Sequence, residues 1–424
     1  MRLLLVGAFP YPLGQGSQVY FQEQAQALRA SGARVEMLTY ASGRPEPVAR
    51  RALEGFTHHT PPAWTAPSEL RSGPAWGKPL ADLALAKTLR RAVASRSSPD
   101  AFDAVLTHNA EACVTALLGL QGSRIPNVYC VHTLLGQELS AYLKPLKNKG
   151  KFKFSRDSPG FGQLLDRGGR SLDRQLARRV DGWIALTHSA FRVMRQHSSA
   201  PGGLIAPPIP DPESDPERLD PATIARRHGL EPDRFFLYSG NLDGYQELAV
   251  LGAAAERLRR EAPEFASPPV LVLASHDPAG AAVAGAMAGV EFRHIAGAAE
   301  MQALLAAARA SLLMRRAQGG YPIKLANAHA AGTPTIAFRE REWGLHDGKD
   351  CLIASLERPV SSLAAAITRL ALDDALAARL RVGARALYRA RHRPQQAAAD
   401  TLDLLEAVLA TSRKRGTRSA RAGR

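Results

Sequence analysis

The sequence predicts an α/β protein made of two successive doubly wound domains. Short apolar segments with strand character alternate with longer helix-forming segments in both halves of the chain, a pattern typical of parallel sheets covered by helices. The chain also has a Pro- and Gly-rich stretch at 201–216, including the run APPIPDPESDP, which favours an interdomain connection there. A length of 424 residues is sufficient for two such domains.

The first half opens with a βαβ unit. An apolar strand at 2–9 leads through a loop containing Gly14 and Gly16 into a helix at 19–31, and a second strand follows at 34–40. This order implies a parallel sheet with a right-handed crossover. Beyond an irregular region at 43–79, we expect strands at 102–108, 127–132 and 182–187, with helices at 80–95 and 172–180.

The second half repeats the alternation. We expect strands at 234–240, 270–274, 290–295, 310–314, 335–338 and 352–354. The intervening helices are predicted at 247–261, 279–288, 299–308 and 323–331, followed by predominantly helical segments at 360–388 and 395–411.

These elements define five parts of the chain. We expect a Rossmann-like first domain at 1–200, a linker at 201–216 and a Rossmann-like second domain at 217–390. A C-terminal helix at 391–411 is expected to pack back on the first domain. The basic tail at 412–424 is expected to be disordered.

Composition restricts the class of protein further. The three cysteines, at positions 113, 130 and 351, lack metal-ligand spacing, which favours a reducing compartment. The apolar run after Met1 is too short for a secretory signal, and no apolar stretch reaches the length of a membrane span. We therefore expect a soluble, cytoplasmic protein.

A formal net charge of +16 indicates an anionic partner, although a genome rich in Arg and Ala codons would give the same value. Subtracting the six basic residues of the C-terminal tail still leaves +10. One segment interleaves aromatic residues with Lys144, Lys147, Lys149, Lys151, Lys153 and Arg156. That mixture suits an anionic membrane surface and peripheral attachment, or nucleic acid, or a solvated loop. The chain has no nucleic-acid motif, so no nucleic-acid partner is expected.

The stretch GGYPIKLANAHAAGTPTIA at 319–337 predicts an anion site. Two glycines and Pro322 precede a helix that ends at Gly332, and Lys324 lies in the first turn of that helix. Backbone N–H groups and the helix dipole at such an N-terminus hold anions, and Lys324 adds a positive charge. The alternative is an ordinary turn of an α/β sheet.

A second candidate site lies at the strand ends of the first half. Gly14, Gly16 and Ser17 follow the first strand, while His108 and His132 end two later strands. Open α/β sheets bind ligands at the carboxyl ends of their strands. Histidines at strand ends also serve structure alone, and that alternative stays open.

Together these motifs resemble the family 4 glycosyltransferases of the GT-B fold. The resemblance covers nearly the whole chain and is carried in order by GQGSQVYFQEQAQALRASGARVEMLT, VYCVHTLLGQEL, SLDRQLARRVDGWIALTHSAF, YSGNLDGYQ and GTPTIA with GLHDGKDCLIA. It implies two Rossmann-like domains facing across a cleft and a nucleotide-diphosphate sugar as co-substrate, without a cofactor or metal. It also implies transfer of a sugar with retention of configuration.

The resemblance assigns roles to particular residues. His132 matches the histidine that contacts the donor sugar and phosphate, and Gly14, Gly16, Ser17 and His108 lie on the acceptor side, with Gly16 also near the donor. The donor would lie against the second domain, its diphosphate at the helix N-terminus beside Lys324. The further donor-side positions are Gly319, Gly320, Tyr321, Asn327, Asn241, Gln246, Arg315 and Arg316.

Four of these positions depart from the family pattern. Asn241 and Gln246 stand where the family has Arg and Lys, and Gly319 and Asn327 stand where it has the two glutamates of a Glu-x7-Glu motif. Lys324, Arg315 and Arg316 are candidates to supply the missing positive charge. Two interpretations follow, a transferase acting on a glycan or lipid-linked acceptor and a non-catalytic GT-B protein that serves as a partner subunit.

Overall fold

The computed structural model describes residues 1–12, 15–41, 52–66, 78–96, 100–137, 159–242, 246–261, 268–316, 319–339 and 341–422. The chain forms two compact units. The first contains Met1–Pro208, Gly319–Tyr321 and Pro394–Arg424, and the second contains Ile209–Gln318 and Pro322–Arg393.

The first unit is a parallel sheet covered by helices. Its strands in the described residues are β1 Arg2–Pro10, β2 Arg34–Tyr40, β3 Thr57–His59, β4 Ala104–His108, β5 Asn127–Val131, β6 Gly182–Ala185 and β7 Gly202–Leu204. Its helices are α1 Gly16–Ala30, α2 Lys78–Ala94, α3 Asn109–Gly119, α4 Pro159–Arg179 and α5 His188–His197, and the C-terminal helix Pro394–Ala422 also belongs to it. A 3-10 turn occupies Ala63–Thr65.

The strands of the first sheet follow the order β3-β2-β1-β4-β5-β6-β7 and all pair in parallel. Leu4 of β1 aligns with Glu36 on one side and Val105 on the other. The central strands are almost entirely buried, as expected for a parallel sheet with helices on both faces. The C-terminal helix packs against α1 and β6.

The second unit has the same architecture. Its described strands are β8 Phe235–Ser239, β9 Val270–Ser275, β10 Val290–His294, β11 Ala310–Leu312, β12 Thr335–Ala337 and β13 Cys351–Ile353. Its helices are α6 Pro221–Arg227, α7 Leu248–Glu261, α8 Gly280–Gly285, α9 Ala298–Ala307, α10 Ile323–Ala330, α11 Pro359–Leu372 and α12 Asp374–Arg391, and we number the C-terminal helix α13.

The second sheet has the order β10-β9-β8-β11-β12-β13, again all parallel. Two apolar clusters cover its two faces: α7 and α11 contribute to one and α9 to the other. The parallel α/β prediction is thereby confirmed for both halves. Among the described residues, no helix is both long and apolar enough to span a membrane.

The observed elements differ from the predicted ones at several places. The strands β3 and β7 were not predicted, and β7 lies inside the stretch read as a linker. The helix α4 begins at Pro159 rather than near 172. The predicted segment 360–388 is two helices, because the side chain of Asp373 accepts a hydrogen bond from the backbone N of Leu376 at 2.8 Å and starts α12. The backbone of α13 is helical to Ala422, where disorder had been expected.

Candidate functional site

In each sheet the strand order reverses at one position, so that the strands later in the chain lie on opposite sides of the first strand. In the first sheet β1 lies between β2 and β4, and in the second sheet β8 lies between β9 and β11. A ligand crevice forms outside the carboxyl ends of the strands at such a switch point. The residues that follow β1 and β4, and those that follow β8 and β11, are therefore the first candidates for binding.

In the second unit, Lys324 lies near the residues that follow β8. It is the second residue of α10. The N-cap residue of this helix is Pro322, and among the described residues no side-chain hydrogen bond caps the start of the helix. The ammonium Nζ donates to the Tyr238 hydroxyl and to Gln246 Oε1, both at 3.2 Å. It also lies 4.3 Å from the centre of the Tyr238 ring, within the range of a cation–π interaction.

The turn after β8 is linked to the same lysine. Gln246 Nε2 donates to Asn241 Oδ1 at 2.9 Å, and the Tyr238 hydroxyl donates to the backbone oxygen of Asn241 at 2.5 Å. Gly240 has φ of +124°, and a Cβ there would lie 3.2 Å from Lys324 Nζ. Only glycine adopts this backbone without strain, so Gly240 gives the lysine room.

Arg315 and Arg316 follow β11 and are both half-buried. Arg316 makes two bonds to the Glu247 carboxylate, Nε to Oε2 at 2.5 Å and Nη2 to Oε1 at 3.0 Å. Its backbone oxygen accepts from Arg339 Nε at 2.5 Å. Because a carboxylate already faces the Arg316 guanidinium, this residue is a weaker candidate than Lys324 for replacing the family's cations.

The segment Gly319–Tyr321 belongs to the first unit. Gly319 and Gly320 are buried and Tyr321 is half-buried. A Cβ on Gly320 would lie 2.5 Å from the backbone oxygen of His132 and 2.5 Å from Thr133 Oγ1. Gly320 is therefore required by a close approach of two backbones.

Asn327 lies on α10, one turn after Lys324, and is half-buried. Its backbone oxygen accepts a hydrogen bond from Gln302 Nε2 at 3.1 Å. The resemblance puts the second glutamate of the family's Glu-x7-Glu motif at this position, and an amide oxygen would accept a hydrogen bond more weakly because it carries no charge.

In the first unit, His108 and His132 meet. His108 Nδ1 and His132 Nε2 are 2.9 Å apart, and the ring centres are 5.1 Å apart. Tyr20 and Phe21 of α1 pack on His108 with ring centres at 5.3 and 4.9 Å. Burial, with His132 as a second cause, holds the pKa of His108 well below its ordinary value, and burial lowers the pKa of His132 to about 3. Both imidazoles are therefore neutral at physiological pH.

The predicted glycine loop is only partly described. Gly14 lies outside the described residues, as do Lys144 and Arg156 with the basic segment between them. Gly16 is the exposed first residue of α1 rather than a loop residue, and Ser17 follows it, half-buried. The correction is local: the helix starts three residues before the predicted position, because glycine and serine are tolerated in a first helical turn.

The structure thus forms two clusters from the predicted residues: Lys324 with Asn241 and Gln246, and His108 with His132. Sequence reasoning missed Tyr238, which contacts both Lys324 and Asn241. Its signal was a hydroxyl-bearing aromatic residue at the end of the buried strand FFLYS, directly before the glycine turn.

Comparison with known proteins identifies the family. Residues 15–206 match the glycosyl transferase 4-like domain, and residues 233–373 match the glycosyl transferases group 1 domain. No curated protein matches the sequence.

Solved structures share the fold at low identity. Sucrose-phosphate synthase from Thermosynechococcus elongatus superposes with a TM-score of 0.72 at 16% identity, covering 97% of this chain and 99% of that one. HepE of Anabaena, crystallised with UDP, gives 0.67 at 15% identity over 96% and 100% of the chains. TarM gives 0.65 at 9% identity over 96% and 99%. The chain has the GT-B fold and belongs to the family 4 glycosyltransferases, with a 4-like domain in its first half and a group 1 domain in its second.

Proposed function

We propose that this glycosyltransferase moves a hexosyl group from a nucleoside-diphosphate sugar to a glycan or lipid-linked acceptor, with retention of configuration and without a metal ion. The observation that carries the proposal is the position of Lys324, whose ammonium lies beside the turn after β8 and near the first turn of α10. Diphosphate oxygens are the ligand chemistry that a lysine and a helix N-terminus recognise together.

The same arrangement supplies a catalytic effect. When the glycosidic bond to the diphosphate breaks, negative charge develops on the leaving oxygen. A cation and a helix dipole that are already in place stabilise this charge without reorganising during the reaction. Tyr238 and Gln246 both accept hydrogen bonds from the Lys324 ammonium. Because the ammonium is already held in place, the lysine side chain loses little conformational freedom when a diphosphate binds.

Uridine diphosphate is the first nucleotide to test. HepE, one of the solved structures with the same fold, was crystallised with UDP, with UDP and glucose, and with UDP-glucose. Thermal-shift measurements with UDP-, GDP- and ADP-linked sugars are the experiment. A rise in melting temperature with one donor supports the transferase and names its base, because a ligand that binds only the folded state stabilises it.

A partner subunit without activity is the second candidate. Gly319 and Asn327 replace the two family glutamates, and Asn241 and Gln246 replace the two cations. If no nucleotide sugar stabilises the protein, this second candidate is favoured over the transferase.

Peripheral attachment at the cytoplasmic face of a membrane is a separate proposal, carried by the sequence between Lys144 and Arg156. Lysines attract anionic head groups, and phenylalanine rings enter the interface. Flotation with liposomes containing an anionic lipid tests it. The protein is expected to float at low salt, and its absence from the liposome fraction would contradict the proposal.

A further inference from the structure

The contact between His108 and His132 permits only one proton between the two rings. Both side chains are buried, with 0% and 6% of their surface exposed, so each is a neutral imidazole with a single N–H. Because His108 Nδ1 and His132 Nε2 lie 2.9 Å apart, one of these nitrogens donates and the other accepts. The direction of this hydrogen bond fixes the tautomer of both rings.

In one direction, His132 donates from Nε2 and His108 accepts at Nδ1. The proton of His108 would then lie on its Nε2, which is buried and has no hydrogen-bond partner in the described part of the chain. A buried N–H group without an acceptor is rare and unfavourable in folded proteins.

In the other direction, His108 donates from Nδ1 and leaves only a lone pair on the buried Nε2. An acceptor without a partner is less unfavourable than an orphaned donor. The surroundings agree with this choice, because the aromatic residues of α1 that pack on His108 offer Nε2 no ready acceptor. Phe21 has no acceptor atom in its side chain, and the Tyr20 hydroxyl already accepts from Gln24 Nε2 at 2.9 Å.

We propose that His108 is a positioning residue that donates from Nδ1 to His132 Nε2 and thereby fixes His132 as the Nδ1–H tautomer. His132 Nδ1 makes no hydrogen bond within the residues that the structure describes. Its N–H is the group that donates to an oxygen of the sugar substrate, a hydroxyl or a phosphate oxygen. The identity of that substrate rests on the proposed function, whereas the tautomer does not.

Two variants of matching size separate donation by His108 from simple packing. In His108→Asn, the amide nitrogen occupies about the position of Nδ1 and can still donate to His132. His108→Leu has a similar shape and no donor. The tautomer of His132 is read from ¹⁵N chemical shifts of the ligand-free, full-length protein labelled at its 12 histidines, and the signals of His132 are those lost in His132→Gln.

In wild-type protein and in His108→Asn, we expect His132 to be protonated at Nδ1 and unprotonated at Nε2. In His108→Leu, we expect a mixture of tautomers or the Nε2–H form. The value of kcat/KM should be about fivefold lower in His108→Leu than in His108→Asn, as expected for one hydrogen bond. A wild-type His132 protonated at Nε2 would overturn the proposal even if the Leu variant does not fold, and so would identical tautomers in the two variants. Absence of transferase activity with an Nδ1–H tautomer would instead reject only the proposed function.

Discussion

The two units have the same parallel strand order around their switch points but differ in the charge that they place there. The second unit presents the Lys324 ammonium, held by Tyr238 and Gln246. The first unit presents two buried, neutral histidines. A positive charge suits a diphosphate, whereas a neutral N–H suits a hydroxyl or an oxygen that must be oriented without tight binding. The comparison teaches that the same strand order can bring together two candidate sites whose chemistry is set by a few side chains.

Acid stability provides the largest expected effect, and it concerns a buried histidine of the second unit. His329 of α10 is fully buried, neither ring nitrogen has a partner in the described residues, and burial lowers its pKa to about 3. Below about pH 6.5 the unfolded chain binds a proton that the folded protein does not. The free energy of unfolding should therefore fall as the pH is lowered from 6.5 towards 3, by up to about 1.4 kcal/mol per pH unit for this residue.

His329→Leu should reduce that pH dependence by the same amount, because the replacement removes the proton-binding group. Urea unfolding at pH 7, 6 and 5 measures the effect, and His276→Gln at an exposed position is the control. An unchanged slope in His329→Leu would show that this histidine is not kept neutral by the fold.

Removal of the charge at the second switch point is expected to have the next largest effect. Lys324→Ala should lower kcat/KM for the donor identified by the thermal-shift screen at least tenfold, about 1.4 kcal/mol, because the leaving diphosphate loses its cation. Release of nucleoside diphosphate is the measurement. Unchanged turnover would remove Lys324 from the proposed mechanism and with it the contrast between the two units.

Gly240→Ala tests whether the space around the Lys324 ammonium matters. The new Cβ would lie 3.2 Å from Nζ in a backbone with φ of +124°, so we expect a loss of about 1 kcal/mol in UDP binding, roughly fivefold in Kd. Gly229→Ala is the matched control, since Gly229 also has a positive φ, +70°, but has nothing within 4 Å of the new Cβ. Equal losses of affinity in both variants would assign the effect to backbone strain alone.

Tyr238→Phe should give the smallest effect. It keeps the aromatic ring below the Lys324 ammonium but removes the hydroxyl that bonds Lys324 and Asn241. We expect UDP affinity to fall about twofold, near 0.5 kcal/mol, the lower end for a hydrogen bond. Tyr238→Leu, which also removes the ring, should weaken binding further. Equal affinities of the two variants would exclude a contribution from the cation–π contact.

The fold was largely predictable because its signals are local. The strand at 34–40 was predicted with its observed bounds, since its apolar run ends at turn residues on both sides. The strand β7 was not predicted, because only three residues form it and two are glycines, which carry no β propensity. The start of α4 was placed too late because four glycines between Gly160 and Gly169 interrupt the helical pattern.

The candidate site was less predictable because its contacts are not local. Lys324 was found from the glycine-to-helix pattern around it, but its partner Tyr238 lies 86 positions earlier. The ion pair between Arg316 and Glu247 spans 69 positions, so the sequence alone could not show that this arginine already faces a carboxylate. The histidines were each placed at a strand end, yet their mutual hydrogen bond depends on β4 and β5 being neighbours in register.

The most direct test of the central claim is a calorimetric titration of UDP into the wild-type protein, Lys324→Ala and Lys349→Ala. Lys349 is an exposed lysine of the same unit and controls for the loss of one positive charge. We predict that the wild-type and Lys349→Ala proteins bind UDP with the same Kd and that Lys324→Ala binds at least tenfold more weakly. Equal binding of UDP by all three proteins would contradict a nucleoside-diphosphate site centred on Lys324, and so would the absence of binding by UDP, GDP and ADP alike.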